Sequence, residues 1–336
     1  MVITYKIKLF KCLKLEEIAM KSRSTPSSPK GSRRHFSSRR ILQNWQLYLL
    51  LVLPLAYIII FKYVPIYGAQ IAFRDYSPIL GFWKSPWVGT EHFGRFFSSP
   101  VFSRILVNTL LLSLYNLIAS FPFPIILAIG INYVGNKFFK KTVQMVTYIP
   151  YFISVVVLVG ILTQIMNPRF GIVNQVITAL GGEAVDFFAK PEYFRSLYVW
   201  SNVWQQAGWG SIIYIAALSG IDPQLHEAAI VDGASITRRI WHIDIPGILP
   251  TAIIMLILNV GSFMTLGFEK AYLMQNTMNT GTSEIIDTYV YKIGLASQSA
   301  NFSYSSAIGL FQSAIGFILT LTVNKIANKL TETSLW

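Results

Sequence analysis

Six separate stretches of this chain are each long and apolar enough to cross a lipid bilayer, and that recurrence narrows the fold more than any other feature. A membrane-spanning helix takes about 20 mostly apolar residues. The stretches at 47 to 67, 105 to 131, 142 to 166, 195 to 219, 248 to 268 and 304 to 324 all qualify. Backbone polar groups in hydrocarbon must be satisfied within the chain itself, so stretches of this length are expected as helices. The expectation is an all-α polytopic membrane protein with six transmembrane helices. Composition agrees: of 336 residues, 53% are hydrophobic and 13% charged. The mean hydropathy of +0.49 means more apolar surface than one water-soluble core consumes. The first stretch is too long and too deep in the chain for a cleaved leader, and no small-residue cleavage site follows it.

The formal net charge of +13 raises nucleic acid as a partner. The cations, however, flank apolar stretches and form no aromatic-basic recognition stripe, so they read as a topology signal and no nucleic acid is expected. Lys21, Arg23, Lys30, Arg33, Arg34, Arg39 and Arg40 precede the first stretch. Lys137, Lys140 and Lys141 lie between the second and third, and Lys325 and Lys329 follow the last. With six crossings these segments share one side, which places both termini and the fourth-to-fifth connection in the cytoplasm of a bacterial cell. The opposite connections, 68 to 104, 167 to 194 and 269 to 303, carry mixed charge.

Three regions follow: a basic arm over 1 to 46, a six-helix membrane domain over 47 to 324, and a cytoplasmic tail over 325 to 336. The arm is expected to be disordered or to touch lipid headgroups. Met20 opens a more typical start, so residues 1 to 19 read as an upstream extension. The single Cys12 excludes a disulfide framework and a cysteine-based zinc cluster, and His35, His92, His226 and His242 lack ligand spacing. No metal site is expected.

Between the fourth and fifth stretches, residues 220 to 250 form a polar loop with its own logic. Asp222-Pro223 is a helix opening, Asp accepting a backbone N–H at the N-cap and Pro fitting the first helical position. The helix it starts is expected to run from Pro223 to about Asp232, presenting Glu227 beside the low-profile Ala228 and Ala229. Gly233 permits a sharp redirection. Ile243, Pro246 and Pro250 lead the chain back toward the bilayer.

This loop, with Glu227-Ala228-Ala229, Asp232, Gly233 and the Ile243-x-Ile245-Pro246 tail, resembles the EAA loop of ABC importer permeases, where it forms the docking surface for a cytoplasmic ATPase. Ile245 stands where Leu is usual, a volume-conserving exchange. Asn108-Thr109-Leu110, Gly208-Trp209-Gly210-Ser211, Gly220-Ile221-Asp222-Pro223 and Ile286-Asp287-Thr288-Tyr289-Val290 extend the likeness over residues 41 to 336. They resemble carbohydrate-uptake permeases of the maltose and alginate type, in particular those serving uptake of polysaccharide-derived oligosaccharides.

The resemblance implies a type I importer permease fold (MetI-like, maltose-permease-like), a heterodimer with a second homologous permease, an ABC ATPase dimer below and an extracytoplasmic solute-binding protein above. It implies alternating access driven through the Glu227 helix. The chain has no Gly-x-x-x-x-Gly-Lys-Ser/Thr loop, so it is not expected to be catalytic by itself. ATP and magnesium are expected on the ATPase subunits, and no cofactor on this chain.

Polar residues inside a bilayer usually face protein or a wet cavity. Asn202, Gln205, Gln206 and Trp209 follow i, i+3, i+4, i+7 and so share one helical face. Asn259 and Phe263 lie one turn apart in the next stretch, and Asn108, Tyr115 and Asn116 form a further face in the second. Amides exchange hydrogen bonds with sugar hydroxyls and aromatic rings stack on pyranose faces, which makes these positions substrate-path candidates. Interhelical hydrogen bonding without any ligand is the competing reading. A secondary transporter would usually carry a carboxylate deep in a span, whereas Glu269 lies at a boundary and Asp287 in the last outer segment. The sequence is also compatible with a non-sugar permease of the same superfamily and with a membrane anchor that recruits an ATPase for signalling.

Overall fold

The computed structural model describes residues 45–331, so nearly all of the basic arm, with the expected extension over residues 1 to 19, and the end of the tail lie outside it. The chain divides into two compact units, Met1–Pro65 and Ile66–Trp336. Among the described residues there is no strand, only an isolated bridge between Arg74 and Trp87.

Among the described residues of the first unit, α1 (Trp45–Ile58) runs into a π-helical turn at Ile59–Tyr63. Leu49, Leu50, Leu53, Ile60 and Phe61 are all exposed. So apolar an exterior suits lipid and not water.

The second unit follows as α2 (Glu91–Phe97), α3 (Pro100–Ser120), α4 (Pro122–Tyr133), α5 (Lys137–Tyr148), α6 (Val155–Ile165), α7 (Ile172–Ala179) and α8 (Pro191–Ser219). Then come α9 (Pro223–Val231), α10 (Ile245–Gly261), α11 (Phe268–Met274), α12 (Ile286–Tyr291) and α13 (Phe302–Thr331). Local chemistry sets the boundaries. Ser99 caps α3 by accepting from Val101 N at 3.3 Å, and Pro100 takes the first helical position. Pro122 opens α4 directly after α3. Asn136 caps α5, its Oδ1 accepting from Phe138 N at 2.9 Å and Phe139 N at 3.1 Å.

Among the described residues four continuous helices are long and apolar enough to span a bilayer: Tyr48–Phe73, Pro100–Tyr133, Ile236–Gly261 and Phe302–Lys329. A fifth candidate is broken: Lys137–Phe152 and Val155–Ile165 meet at 103°. Pro150 lies in the turn, and Ser154 restarts the helix by accepting from Val157 N at 3.3 Å. The stretch expected at 195 to 219 is α8, whose 29 residues are long enough but too polar to pass on composition. The span expected at 248 to 268 starts and ends earlier. It stops at Gly261, and Gly267, at φ +93, redirects the chain into α11.

α8 is the central element. Its Phe194, Tyr198, Val199 and Val203 pack with Leu112 of α3, Val159 of α6 and Met274 of α11. Its Tyr214 and Leu218 pack with Ala128 of α4 and with Ile248 and Ala252 of α10. A third cluster joins Phe96, Ile105, Met264, Ile286, Tyr304 and Ile308. A helix surrounded by protein is free of the composition that lipid imposes, which explains the polarity of α8.

Candidate functional site

Two features stand out, a polar pocket among the helices and an exposed helix in the 220 to 250 loop. The pocket, about 120 Å³, lies between α3, which supplies Ser113, Asn116 and Ser120, and the end of α10 with the turn after it, which supply Asn259, Ser262 and Phe263. Asn202 of α8 joins it: its Nδ2 donates to Asn116 Oδ1 at 3.0 Å, and Ser120 Oγ donates to the same oxygen at 3.2 Å. Ser113 Oγ donates to Phe263 O at 2.5 Å and so ties the two walls together. Asn259 Nδ2 donates within its own helix to Met255 O at 2.8 Å.

The structure thus gathers Asn116, Asn202, Asn259 and Phe263 from α3, α8, α10 and the turn after α10. The remaining candidates sit elsewhere. Gln205, 4% exposed, donates through Nε2 to Ile153 O at 2.8 Å and closes the elbow between α5 and α6. Trp209 stacks on Tyr151 with centroids 4.5 Å apart and planes 7° from parallel. Gln206 is exposed on the same helix. Asn108, 3% exposed, donates to Gly281 O at 2.9 Å and Glu284 O at 3.1 Å and accepts from Arg195 Nη2 at 3.0 Å. Its amide is committed to holding the 281 to 284 segment against α3 and α8. The pocket's serines were not singled out from the sequence, although Ser113, Asn116 and Ser120 follow i, i+3, i+7 and share one face of α3.

Several cations of the 68 to 104 and 269 to 303 connections are also committed to structure. Arg74 Nη1 donates to Ser85 O at 2.9 Å, and Arg95 lies 4.8 Å over the Tyr304 ring. Arg104 and Lys292 both pair with Glu284, at 2.6 and 3.0 Å. In α11, Lys270 is 5% exposed, donates to Tyr198 O at 3.0 Å and sits 4.8 Å over the Tyr198 ring. Burial pushes its ammonium down to about 7, because a charge loses hydration there that one carbonyl and one ring do not replace.

In the loop, Asp222 Oδ1 accepts from Gln224 N at 3.0 Å and Pro223 opens α9. The helix ends at Val231. Ala234 N donates to Ala229 O at 2.8 Å and Gly233 N to Ile230 O at 3.0 Å, with Gly233 at φ +74. That is a Schellman closure, and its left-handed residue favours glycine. Glu227, Ala228 and Asp232 are exposed and Ala229 is half-buried. Around them Leu225, Ile230, Val231, Ile236 and Trp241 are exposed too, Val231 by 87%. An apolar patch with acidic groups is a protein-binding surface more readily than a water-facing one. Ile243 is half-buried, and Pro246 is exposed in the first turn of α10.

Beneath the loop lies a feature with no distinct signal in the sequence. Asp244, fully buried at 0% exposure, ends a π-helical turn, Ile240–Asp244. Its Oδ2 accepts from Tyr133 OH, the last residue of α4, at 2.7 Å. His226 Nε2 of α9 approaches Oδ1 at 3.4 Å, yet that oxygen has no hydrogen bond, so the contact is close but poorly aligned. The Arg239 guanidinium lies 5.5 Å over the Tyr133 ring.

The family model for the binding-protein-dependent transport system inner membrane component matches residues 120–332. Among curated proteins, the chain is 43% identical over 320 residues to protein LplB of Bacillus subtilis (strain 168), covering 95% of this chain and 100% of that one. It is also 43% identical over 297 residues to the polygalacturonan/rhamnogalacturonan transport system permease protein YteP of the same organism, covering 88% and 92% of the two chains. Among solved structures it resembles a chain of a bacterial alginate ABC transporter in complex with an alginate pentasaccharide-bound periplasmic protein. There the TM-score is 0.81 at 35% identity, covering 90% of this chain and 100% of that one.

Proposed function

Because this chain belongs to the family of binding-protein-dependent transport system inner membrane components, a family of multi-pass membrane permeases, we propose that it lines the path of an ATP-driven importer for oligosaccharides released from acidic polysaccharides. The observation that carries the reading is the pocket lined by Asn116, Asn259 and Phe263, with Asn202 bonded to Asn116, where amides, hydroxyls and aromatic rings converge among apolar spans. Amides that both donate and accept, next to an aromatic face, suit a sugar better than an ion or an apolar solute. The names of the relatives, one a polygalacturonan/rhamnogalacturonan permease and one structure an alginate importer, support acidic saccharides.

The pocket is too small for an oligosaccharide by itself, so in this reading it is one wall, and a second homologous permease supplies the other. The exposed α9 receives the ATPase: Glu227 offers charge, Ala228 and Ala229 let another surface come close, and Leu225 and Val231 supply apolar contact. ATP and magnesium stay on the ATPase pair, while a solute-binding protein delivers the sugar from outside. The cation distribution supports cytoplasmic termini and a cytoplasmic α9.

ATP hydrolysis by the lipid-reconstituted complex, assembled with neighbouring gene products, tests the reading. The binding protein is loaded in turn with galacturonate, mannuronate and neutral oligomers. Stimulation by one saccharide class, abolished by Glu227→Ala, is the expected result. Hydrolysis indifferent to every loaded binding protein would assign the chain another cargo.

A further inference from the structure

Asp244 is buried at a junction of three elements and is a costly residue for that place. A carboxylate removed from water needs hydrogen bonds to both oxygens, and apolar side chains of similar volume hold helices together as well or better. Here one oxygen is satisfied by Tyr133 OH at 2.7 Å, and the other faces His226 at 3.4 Å without hydrogen-bond geometry. Tyr133 ends α4, which packs against α8; His226 immediately precedes Glu227 on α9; Asp244 immediately precedes α10. The turn that carries Asp244 is π-helical, a distortion found frequently at functional sites. His226 is within reach of the oxygen that lacks a hydrogen bond, so movement of α9 would change a buried polar contact that also touches α4 and the entry to α10.

We propose that Asp244 is the positioning residue that carries displacement of the docking helix α9, through His226, into α4 and α10. The inference rests on the reading of α9 as the ATPase surface and extends it. The chain's movement under ATP enters the bundle at this carboxylate, and Tyr133 is the fixed end of the contact. The Arg239 guanidinium, 5.5 Å over the Tyr133 ring, is a further contact on the phenol.

Site-directed labelling in the assembled complex provides the test. Only Cys12 must be replaced to obtain a cysteine-free chain. Ser262→Cys in the polar pocket then reports on the path through its reaction rate with a membrane-impermeant maleimide, with and without ATP and vanadate. In the parent complex the trap is expected to change the labelling rate about tenfold. Asp244→Asn and His226→Gln are expected to keep ATPase association and to lose most of that change, about the factor that one hydrogen bond to a charged group supplies. His226→Gln alters a half-buried group and leaves the carboxylate in place, so it decides the matter where Asp244→Asn does not assemble.

A full labelling response in either variant would overturn the role. Failure of His226→Gln to assemble would make the contact merely structural and also overturn it. A parent complex whose labelling ignores the trap would remove the movement itself. Glu227→Ala separates the two ideas: normal ATPase association in that variant refutes the docking reading, whereas lost association there with an intact response in His226→Gln refutes only the role of Asp244.

Discussion

A β-carbon placed on Gly208 would stand 1.9 Å from the carbonyl oxygen of Thr147, so α8 and α5 touch backbone to backbone at this point. No side chain could move to relieve that contact. Gly208→Ala is therefore expected to destabilise the protein at or above the upper end of the about 1–3 kcal/mol typical of overpacking, despite the helix propensity that alanine gains. At Gly210 the nearest atom is the Pro124 Cγ at 3.2 Å, and at Gly160 nothing lies within 4 Å. Thermal unfolding in detergent should rank the alanine variants Gly208 lowest, Gly210 intermediate and Gly160 near the parent.

The two asparagines of α3 are expected to separate transport from stability. Asn116 shares its oxygen with Asn202 and Ser120 at the pocket, an interhelical contact of a kind worth about 0.6 kcal/mol in a bilayer. Asn116→Ala and Phe263→Ala should fold and lower sugar uptake. Asn108→Ala strands the buried Glu284 carbonyl, at about 1–3 kcal/mol for such a group left without a partner, and removes a partner of Arg195 and of the more exposed Gly281 carbonyl. Yield and melting temperature should fall, with uptake per folded molecule preserved. Uptake normalised to folded complex would contradict this assignment if Asn116→Ala matched the parent.

Gly233 has nothing within 4 Å of where a β-carbon would stand, so a substitution there meets conformational strain alone. The left-handed backbone costs an ordinary residue about 1–2 kcal/mol, and asparagine less. ATPase association, measured by copurification, should follow Gly233 above Gly233→Asn above Gly233→Ala. Equal association across the three would show that the docking surface does not depend on this turn.

Lys270 gives a pH dependence with a definite sign. The unfolded chain keeps the proton on this side chain up to about 10.5, whereas the folded chain releases it near 7. Between these values the unfolded state binds more protons, so stability rises with pH across the window and the gain is lost as pH falls to 7. Unfolding at pH 7 and pH 9.5 should show this rise in the parent and a smaller one in Lys270→Met. A slope unchanged in the variant would show that another group is responsible.

The fold class was legible in the sequence because lipid and water impose opposite compositions over lengths of about 20 residues. The opening of α9 was legible too, since Asp222 and Pro223 act locally and Gly233 supplies a conformation other residues resist. What did not show was anything set by packing between distant helices. The stretch at 195 to 219 reads as a span like the others, whereas α8 is more polar than the continuous spans because its neighbours surround much of it. Gln205 shares a helical face with Asn202 but meets the Ile153 carbonyl instead of the pocket, a choice made by where the elbow lies. Asp244 occupied the variable position between Ile243 and Ile245, and only the fold brings Tyr133 and His226 to it.

The elbow between α5 and α6 also bears on how the chain is made. Its carbonyl at Ile153 is answered by Gln205, and its backbone at Thr147 is met closely by Gly208, both more than fifty residues later in translation. Until α8 leaves the ribosome, the bent segment has a peptide oxygen that lipid cannot satisfy. The bent form of residues 137 to 165 is therefore complete only when α8 arrives. The central helix is thus a late partner that completes an earlier one, and a nascent chain ending before residue 205 should remain open to protease at the elbow.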